Sequence, residues 1–136
     1  MTNDLLARSY LTKARVRLKT LEVLRSEGAW SDVVREAQEV VELALKGLLR
    51  EIGVEPPKWH DVGGFLQEHR ARLSPALQPE ADHLATISAW LRKEREFSFY
   101  GDVDFIPTDQ YSEADALRAI ADAVFVVRAV GDEIDR

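Results

Sequence analysis

An arginine, Arg95, continues the apolar stripe of a predicted helix. Leu84, Ser88 and Leu91 precede it at three- and four-residue steps, which places these side chains on one helix face. A guanidinium buried without a partner is strongly unfavourable, so we expect Arg95 to meet a carboxylate, a helix C-terminus, a second subunit or an anionic ligand. The alternative that needs no ligand is an arginine that extends to water at the helix end or pairs with Glu42.

Aromatic side chains are frequent around the end of this helix and in the segment after it, residues 101–111, which contains Gly and Pro and lacks a helical period. They are Phe97, Phe99, Tyr100, Phe105 and Tyr111, with Trp59 and Trp90 earlier in the chain. Most rings of this kind lie in a core or a dimer interface. Exposed rings next to Arg or Lys would instead form a stacking platform for a nucleic-acid base.

A polar row lies beside the most apolar stripe of the chain, at Gln38, Glu42 and Lys46. Four-residue spacing favours a Glu-to-Lys pair on the helix surface, worth about 0.2–0.5 kcal/mol. On such an apolar helix, Glu42 and Lys46 could instead line a cleft between helices. The simple four-residue pairing is the preferred interpretation for Gln38, and for Glu42 and Lys46 the question stays open.

Residue types that can bind metals are present, but they lack the spacing that a metal site needs. They are His60, His69 and His83, and Asp102, Asp104 and Asp109 in the 101–111 segment. The histidines lack a zinc pattern, and the aspartates lack the full calcium-loop pattern and are better explained as turn and cap residues. Cys is absent, so neither a disulfide nor a thiolate site can form. We predict no metal and no cofactor.

Length and composition indicate one globular domain over residues 1–136, because 46% of the 136 residues are hydrophobic and 31% are charged. The net charge of -6 counts against non-specific binding to duplex nucleic acid, but not against a single nucleotide or a local Arg and Lys cluster. The charged, amphipathic N-terminus is typical neither of a signal peptide nor of a membrane span. We therefore expect a cytoplasmic protein that does not contact membranes.

Helical periodicity extends over most of the chain and is interrupted at a few recognisable stops and starts. These are Gly28 with Ser31 as the next cap, Gly53 with Glu55-Pro56-Pro57, Asp61 before a short helix, Ser74-Pro75 before the fourth helix, and Ser112 with Asp115 before the last. Four long helices with short connections predict an all-α fold, an up-down antiparallel four-helix bundle with one short extra helix in the middle crossover.

Several of these residues occur in an order that resembles the HEPN family over nearly the whole chain. The pattern comprises Tyr10-Leu11-x-x-Ala14, Ala37-Gln38-x-x-x-Glu42-x-x-x-Lys46-x-x-Leu49, Trp59-His60-Asp61, Arg95…Tyr100 and an Ala-rich last helix from about Ala114. The resemblance implies a helical bundle that dimerises, with a cleft at or near the dimer interface. It also implies a setting, since many such domains are encoded beside a minimal nucleotidyltransferase as toxin–antitoxin pairs.

The ribonuclease branch of the HEPN family carries an Arg, a polar residue and then, a few positions later, a His. Here Arg95 and Glu96 match the first two, but Tyr100 stands where His is expected. The resemblance implies that the imidazole assists attack of the RNA 2′-hydroxyl while Arg steadies the phosphate. A tyrosine hydroxyl ordinarily has a pKa of about 10 and is a poor proton shuttle near neutrality. His60 lies too early in the chain to replace the missing imidazole by motif, although it could approach in space.

The resemblance leads to a homodimeric HEPN-like module that binds a nucleotide or single-stranded RNA, or supports a nucleotidyltransferase partner in a toxin–antitoxin pair. Its predicted binding residues are Arg95, Tyr100, Lys46, Glu42 and His60. Two alternatives stay open. The first is a variant metal-independent ribonuclease with Arg95 and Tyr100 as its centre. The second is a purely structural assembly subunit in which Arg95 forms an interfacial salt bridge.

Overall fold

The computed structural model of the chain describes residues 2–58 and 61–135, and this part folds into six α-helices without a β-strand. The helices are α1 (Thr2–Ser26), α2 (Trp30–Glu51), α3 (Val62–Glu68), α4 (Ala81–Phe99), α5 (Pro107–Gln110) and α6 (Glu113–Ile134). Two 3-10 turns, Arg70–Arg72 and Gln78–Glu80, lie between α3 and α4. The all-α prediction is confirmed. No helix in the described ranges is long and apolar enough to cross a bilayer.

Helix α2 occupies the centre of the fold, because it contacts α1, α4 and α6. Its buried stripe, from Val33 to Leu49, has the breadth that the sequence predicted for a helix with several neighbours. Each large apolar side chain buried there contributes about 1.5–3 kcal/mol. At Gly47 a side chain would lie only 3.1 Å from the carbonyl oxygen of Ala7, so glycine lets α1 and α2 approach closely.

Several predicted helix ends are confirmed. Gly28 and Gly53 adopt φ values of +70° and +81° after α1 and α2, the left-handed conformation that favours glycine. The Asp61 carboxylate accepts a hydrogen bond from the Gly63 N–H at 3.1 Å and begins α3. Ser112 and Asp115 form the expected reciprocal capping box of α6.

Two predicted helix starts are wrong. Ser31 does not cap α2, because the helix begins at Trp30 and Ser31 is buried inside its first turn. Ser74 does not begin α4, which starts seven residues later at Ala81. The Ser74 hydroxyl and backbone N–H instead donate to the two carboxylate oxygens of Glu133 on α6, at 2.7 and 3.0 Å. This tertiary contact ties Ser74 to α6, and residues 74–80 form turns.

The buried face of α6 carries small side chains. Ala116, Ala119 and Ala123 are fully buried, whereas Leu117 is 43% exposed. Small side chains on this face let α6 pack closely against α2, and the neighbouring larger residue turns outward. The segment 101–111, predicted without helix, contains the one-turn helix α5, for which Pro107 supplies a favourable first residue.

Candidate functional site

A depression of about 500 Å³ lies at the end of α4, where that helix faces α2. It is lined by Arg35, Arg92, Lys93, Arg95, Glu96, Phe97 and Tyr100. We call it the basic depression. Four cationic side chains meet here on a chain whose net charge is -6, so the local charge is opposite to that of the whole protein.

Arg95 lies at the edge of the α4 stripe and not within it. Its side chain is 49% exposed, so the expectation of a buried guanidinium is wrong. The reason lies in the register, because the buried face of α4 continues from Leu91 to Ser98, seven residues apart, and passes beside Arg95. Its partner is Glu39 on α2, with 3.6 Å between Arg95 Nη2 and Glu39 Oε1, and not Glu42.

The same oxygen of Glu39 also binds Arg35. Arg35 Nη1 lies 2.8 Å from Glu39 Oε1, one turn earlier on α2. The Arg35 guanidinium carbon is 5.6 Å from the centre of the Phe99 ring, within the range of a cation–π contact. One carboxylate oxygen is therefore shared by two guanidinium groups from two helices.

The end of α4 is fixed by local backbone contacts. The buried Ser98 hydroxyl donates to the Arg95 carbonyl oxygen at 3.1 Å, and the Tyr100 N–H donates to the Glu96 carbonyl at 2.8 Å. Gly101 then adopts a φ of +70°, and any side chain there would collide with the Phe105 carbonyl oxygen. This turn reverses the chain directly beside the basic depression.

The turn itself is closed by residues 102–105. Asp102 and Phe105 exchange two backbone hydrogen bonds of 2.9 Å, and the Asp102 carboxylate accepts from the Val103 N–H at 2.7 Å. Asp102 therefore has the turn-forming role expected of it. Among the residues that the structure describes, no group of three or more His, Asp or Glu side chains could hold a metal ion.

The aromatic residues divide into an inward and an outward set. Phe105 packs 5.8 Å from the buried Tyr111 ring, whereas Phe97, Phe99 and Tyr100 are 45%, 52% and 75% exposed. The Phe99 and Tyr100 rings meet edge to face at 4.8 Å. The outward set thus meets the geometric condition for a stacking platform, exposed rings next to arginine.

The predicted site residues do not all come together. Arg95 and Tyr100 line the basic depression, whereas Glu42 and Lys46 lie half-buried on α2 and are not among its lining residues. His60, like Trp59, falls outside the described residues.

Sequence reasoning missed four residues of this site: Arg35, Glu39, Arg92 and Lys93. Arg92 and Lys93 lie three and two residues before Arg95, within one helical turn, a local signal that could have found them. The four-residue spacing of Arg35 and Glu39 predicts their ion pair, but their approach to α4 depends on tertiary packing.

Tyr111 forms a hydrogen bond that connects parts of the fold and does not line the basic depression. The Tyr111 hydroxyl donates to Glu94 Oε1 at 3.1 Å. Burial, followed by the charge and hydrogen bond of Glu94, raises the pKa of Tyr111 above its ordinary value. Tyr111 therefore remains a neutral donor that joins α4 to the start of α6.

A second depression, of about 530 Å³, lies between α6 and residues 74–80. We call it the apolar groove. It is lined by Ser74, Pro75, Ala76, Leu77, Glu80, Phe125, Arg128, Ala129, Asp132 and Glu133. Its charged residues include one cation, Arg128, and its floor is largely apolar.

Comparison with known proteins agrees with this architecture. The family model described as the HEPN domain matches residues 7–133. The crystal structure of an archaeal HEPN homologue is similar, with a TM-score of 0.70 and 26% sequence identity, covering 94% of this chain and 97% of the other. No protein with a curated description matches the chain. The family match extends over nearly all of the fold described above, and the chain belongs to the HEPN domain family.

Proposed function

We propose that this HEPN domain binds a phosphate group of a nucleotide or of single-stranded RNA in the basic depression. The observation that carries the proposal is the meeting of four cationic side chains with exposed aromatic rings on an otherwise acidic protein. Guanidinium groups bind phosphate oxygens through two parallel hydrogen bonds, and rings such as Tyr100 stack on bases. Both contacts are available within one depression of about 500 Å³.

Binding of nucleotides and short single-stranded RNAs should be measured for wild type, Arg95→Ala and Arg128→Ala. Both variants lose one arginine, but Arg128 lines the apolar groove and not the basic depression. A charge-assisted hydrogen bond is worth about 1.5–3 kcal/mol, so Arg95→Ala should bind at least about tenfold more weakly. Arg128→Ala should bind like wild type. Equal affinities of all three proteins, or no binding by any, would show that the site is wrong.

We also propose that the domain forms a homodimer through exposed apolar residues at the end of α4 and in the turn after it. Besides the Tyr100 ring, which we assign to the ligand, four large apolar side chains are exposed within ten residues: Phe97, Phe99, Val103 and Ile106. Contiguous apolar surface of this kind is uncommon on monomers. The biological setting that we propose is a toxin–antitoxin pair, with a minimal nucleotidyltransferase as the partner.

The dimer is tested by mass measurement in solution with Val103→Asp and Val16→Asp. Val103 is 88% exposed in the apolar set, and Val16 is 59% exposed on α1. Only Val103→Asp should shift the protein to a monomer, because it places a charge in the interface. A wild-type monomer would contradict the proposed homodimer. A monomeric Arg95→Glu with no ligand affinity in wild type would favour the purely structural subunit.

A variant ribonuclease is a second candidate, favoured by one observation, the presence of Arg95 and Tyr100 in the same depression. Highly purified wild type, Arg95→Ala and Tyr100→His should be incubated with single-stranded RNA without metal. Binding without cleavage by wild type is the result we expect, because no imidazole is present at position 100. Cleavage that Arg95→Ala abolishes would establish the enzyme instead.

A further inference from the structure

We propose that Glu39 competes with the ligand for the two arginines of the basic depression, which makes the site selective for dianionic phosphate groups. Such a group is the terminal phosphomonoester of a nucleotide or of an RNA end, whereas an internal phosphodiester carries one charge. This inference rests on the proposed function and names the part of the ligand that the site recognises.

The position of Glu39 is the first argument. Its Oε1 lies 2.8 Å from Arg35 Nη1 and 3.6 Å from Arg95 Nη2, between guanidinium groups of α2 and α4. A phosphate oxygen that bound both groups would need the same place. The Glu39 side chain is 28% exposed, so the carboxylate has access to water and can leave when a ligand enters.

The second argument concerns charge. A phosphodiester that displaces Glu39 replaces one negative charge with another single negative charge. Its attraction to the two arginines is therefore hardly stronger than that of the carboxylate. A phosphomonoester carries about -1.5 to -2 charges at pH 7 and three acceptor oxygens, so it replaces the carboxylate with a larger gain. By competing for the two arginines, the carboxylate weakens binding of singly charged groups more than binding of doubly charged ones.

Glu96 provides a matched control. It lines the same depression, but Arg35 and Arg95 pair with Glu39 and not with Glu96. Glu39→Gln and Glu96→Gln therefore each remove one negative charge at or beside the depression, and only the first frees two guanidinium groups. Long-range electrostatics alone would give the two variants similar effects.

The experiment measures affinities of wild type, Glu39→Gln and Glu96→Gln for a short single-stranded RNA with either a 5′-phosphate or a 5′-hydroxyl. We expect wild type to prefer the phosphorylated RNA by about tenfold at pH 7.5, and to lose this preference below about pH 6 as the phosphate takes up a proton. Glu39→Gln should bind the 5′-hydroxyl RNA about fivefold or more tightly than wild type, with a smaller preference. Glu96→Gln should keep the preference.

Other outcomes overturn the inference in distinguishable ways. Equal changes in both variants would show that charge acts without local competition. Weaker binding by Glu39→Gln, with its circular dichroism unchanged, would show that Glu39 positions the arginines for the ligand. If wild type binds both RNAs equally and Arg95→Ala binds neither, the proposed function stands and this inference fails. If no protein binds either RNA, both fail.

Discussion

The basic depression and the apolar groove are nearly equal in volume, about 500 and 530 Å³, but they differ in how their walls are held. In the apolar groove, Ser74 donates two hydrogen bonds to Glu133 at 2.7 and 3.0 Å, and these fix residues 74–80 against α6. In the basic depression, Arg35 and Arg95 share one oxygen of the partly exposed Glu39. The first set of contacts stabilises the fold, whereas we propose that the second set exchanges partners when a ligand binds.

This difference decides which depression we assign to a ligand. A concave, mostly apolar pocket is the usual default for a small-molecule site, and that criterion would favour the apolar groove. A phosphate ligand reverses the order, because it needs several convergent donors, and the groove has a single cation, Arg128, among its lining residues. The number of cationic side chains that line a depression is therefore a better guide to a phosphate site than its volume.

The largest effect that separates the two regions is expected at Tyr100. Its ring is 75% exposed and available for stacking, so Tyr100→Ala should weaken binding of a nucleotide or RNA by about 1–3 kcal/mol, which is roughly fivefold to more than a hundredfold. Tyr100→Phe keeps the ring and should bind within about twofold of wild type. Titration of a fluorescent single-stranded RNA measures both affinities. If Tyr100→Phe loses as much affinity as Tyr100→Ala, the hydroxyl and not the ring carries the contact.

A smaller effect, on stability and not on binding, is expected at Ser74. Ser74→Ala removes one of the two hydrogen bonds to Glu133 and should lower the free energy of unfolding by about 1–2 kcal/mol. Ser9→Ala, at an exposed position of α1, is the control and should change stability little. Denaturant unfolding measures the difference. Affinity for phosphate ligands should be the same in both variants, and a loss in Ser74→Ala alone would connect the two regions.

The smallest effect is expected at Tyr111, beside the basic depression. Tyr111→Phe loses the hydrogen bond to Glu94 and should cost about 1 kcal/mol of unfolding free energy at pH 7. Since burial raises the pKa of folded Tyr111 above its unfolded value of 10.0, the unfolded chain ionises first. The contribution of Tyr111 to the free energy of unfolding is therefore fully present below pH 10.0 and falls as the pH rises above that value.

Unfolding free energies between pH 8 and pH 11 should show this fall in wild type and a smaller one in Tyr111→Phe. Ser9→Ala is the control, because it changes an exposed side chain that carries no titrating group and should keep the wild-type slope. Identical slopes in wild type and Tyr111→Phe would remove Tyr111 from the account.

The helical fold could be predicted from the sequence because its signals are local. The period of the α2 stripe, the left-handed glycines after α1 and α2, and the capping box at Ser112 each depend on residues within one or two turns. The errors at Ser31 and Ser74 have the opposite origin. Both are good capping residues, but Ser31 is buried inside the first turn of α2, and the Ser74 hydroxyl donates to the distant Glu133 instead.

The candidate site could be predicted only in part for the same reason. Arg95 and Tyr100 are close in sequence and the structure places them around one depression, but the partner of Arg95 depends on the packing of α4 against α2. Periodicity predicted Arg95 on the buried face, but the buried face of α4 passes beside Arg95, which lies at its edge. In that position Arg95 meets Glu39 and not Glu42, a difference of about one turn along α2 that no local pattern determines.

The central claim, that a phosphate ligand enters the basic depression and not the apolar groove, is tested most directly by nuclear magnetic resonance of the arginine side chains. A nucleoside 5′-monophosphate is titrated into wild type while the Nε–H signals are followed. We predict that the signals of Arg35 and Arg95 shift together and saturate, while that of Arg128 stays in place. Shifts of Arg128 with unchanged signals from Arg35 and Arg95 would contradict the account.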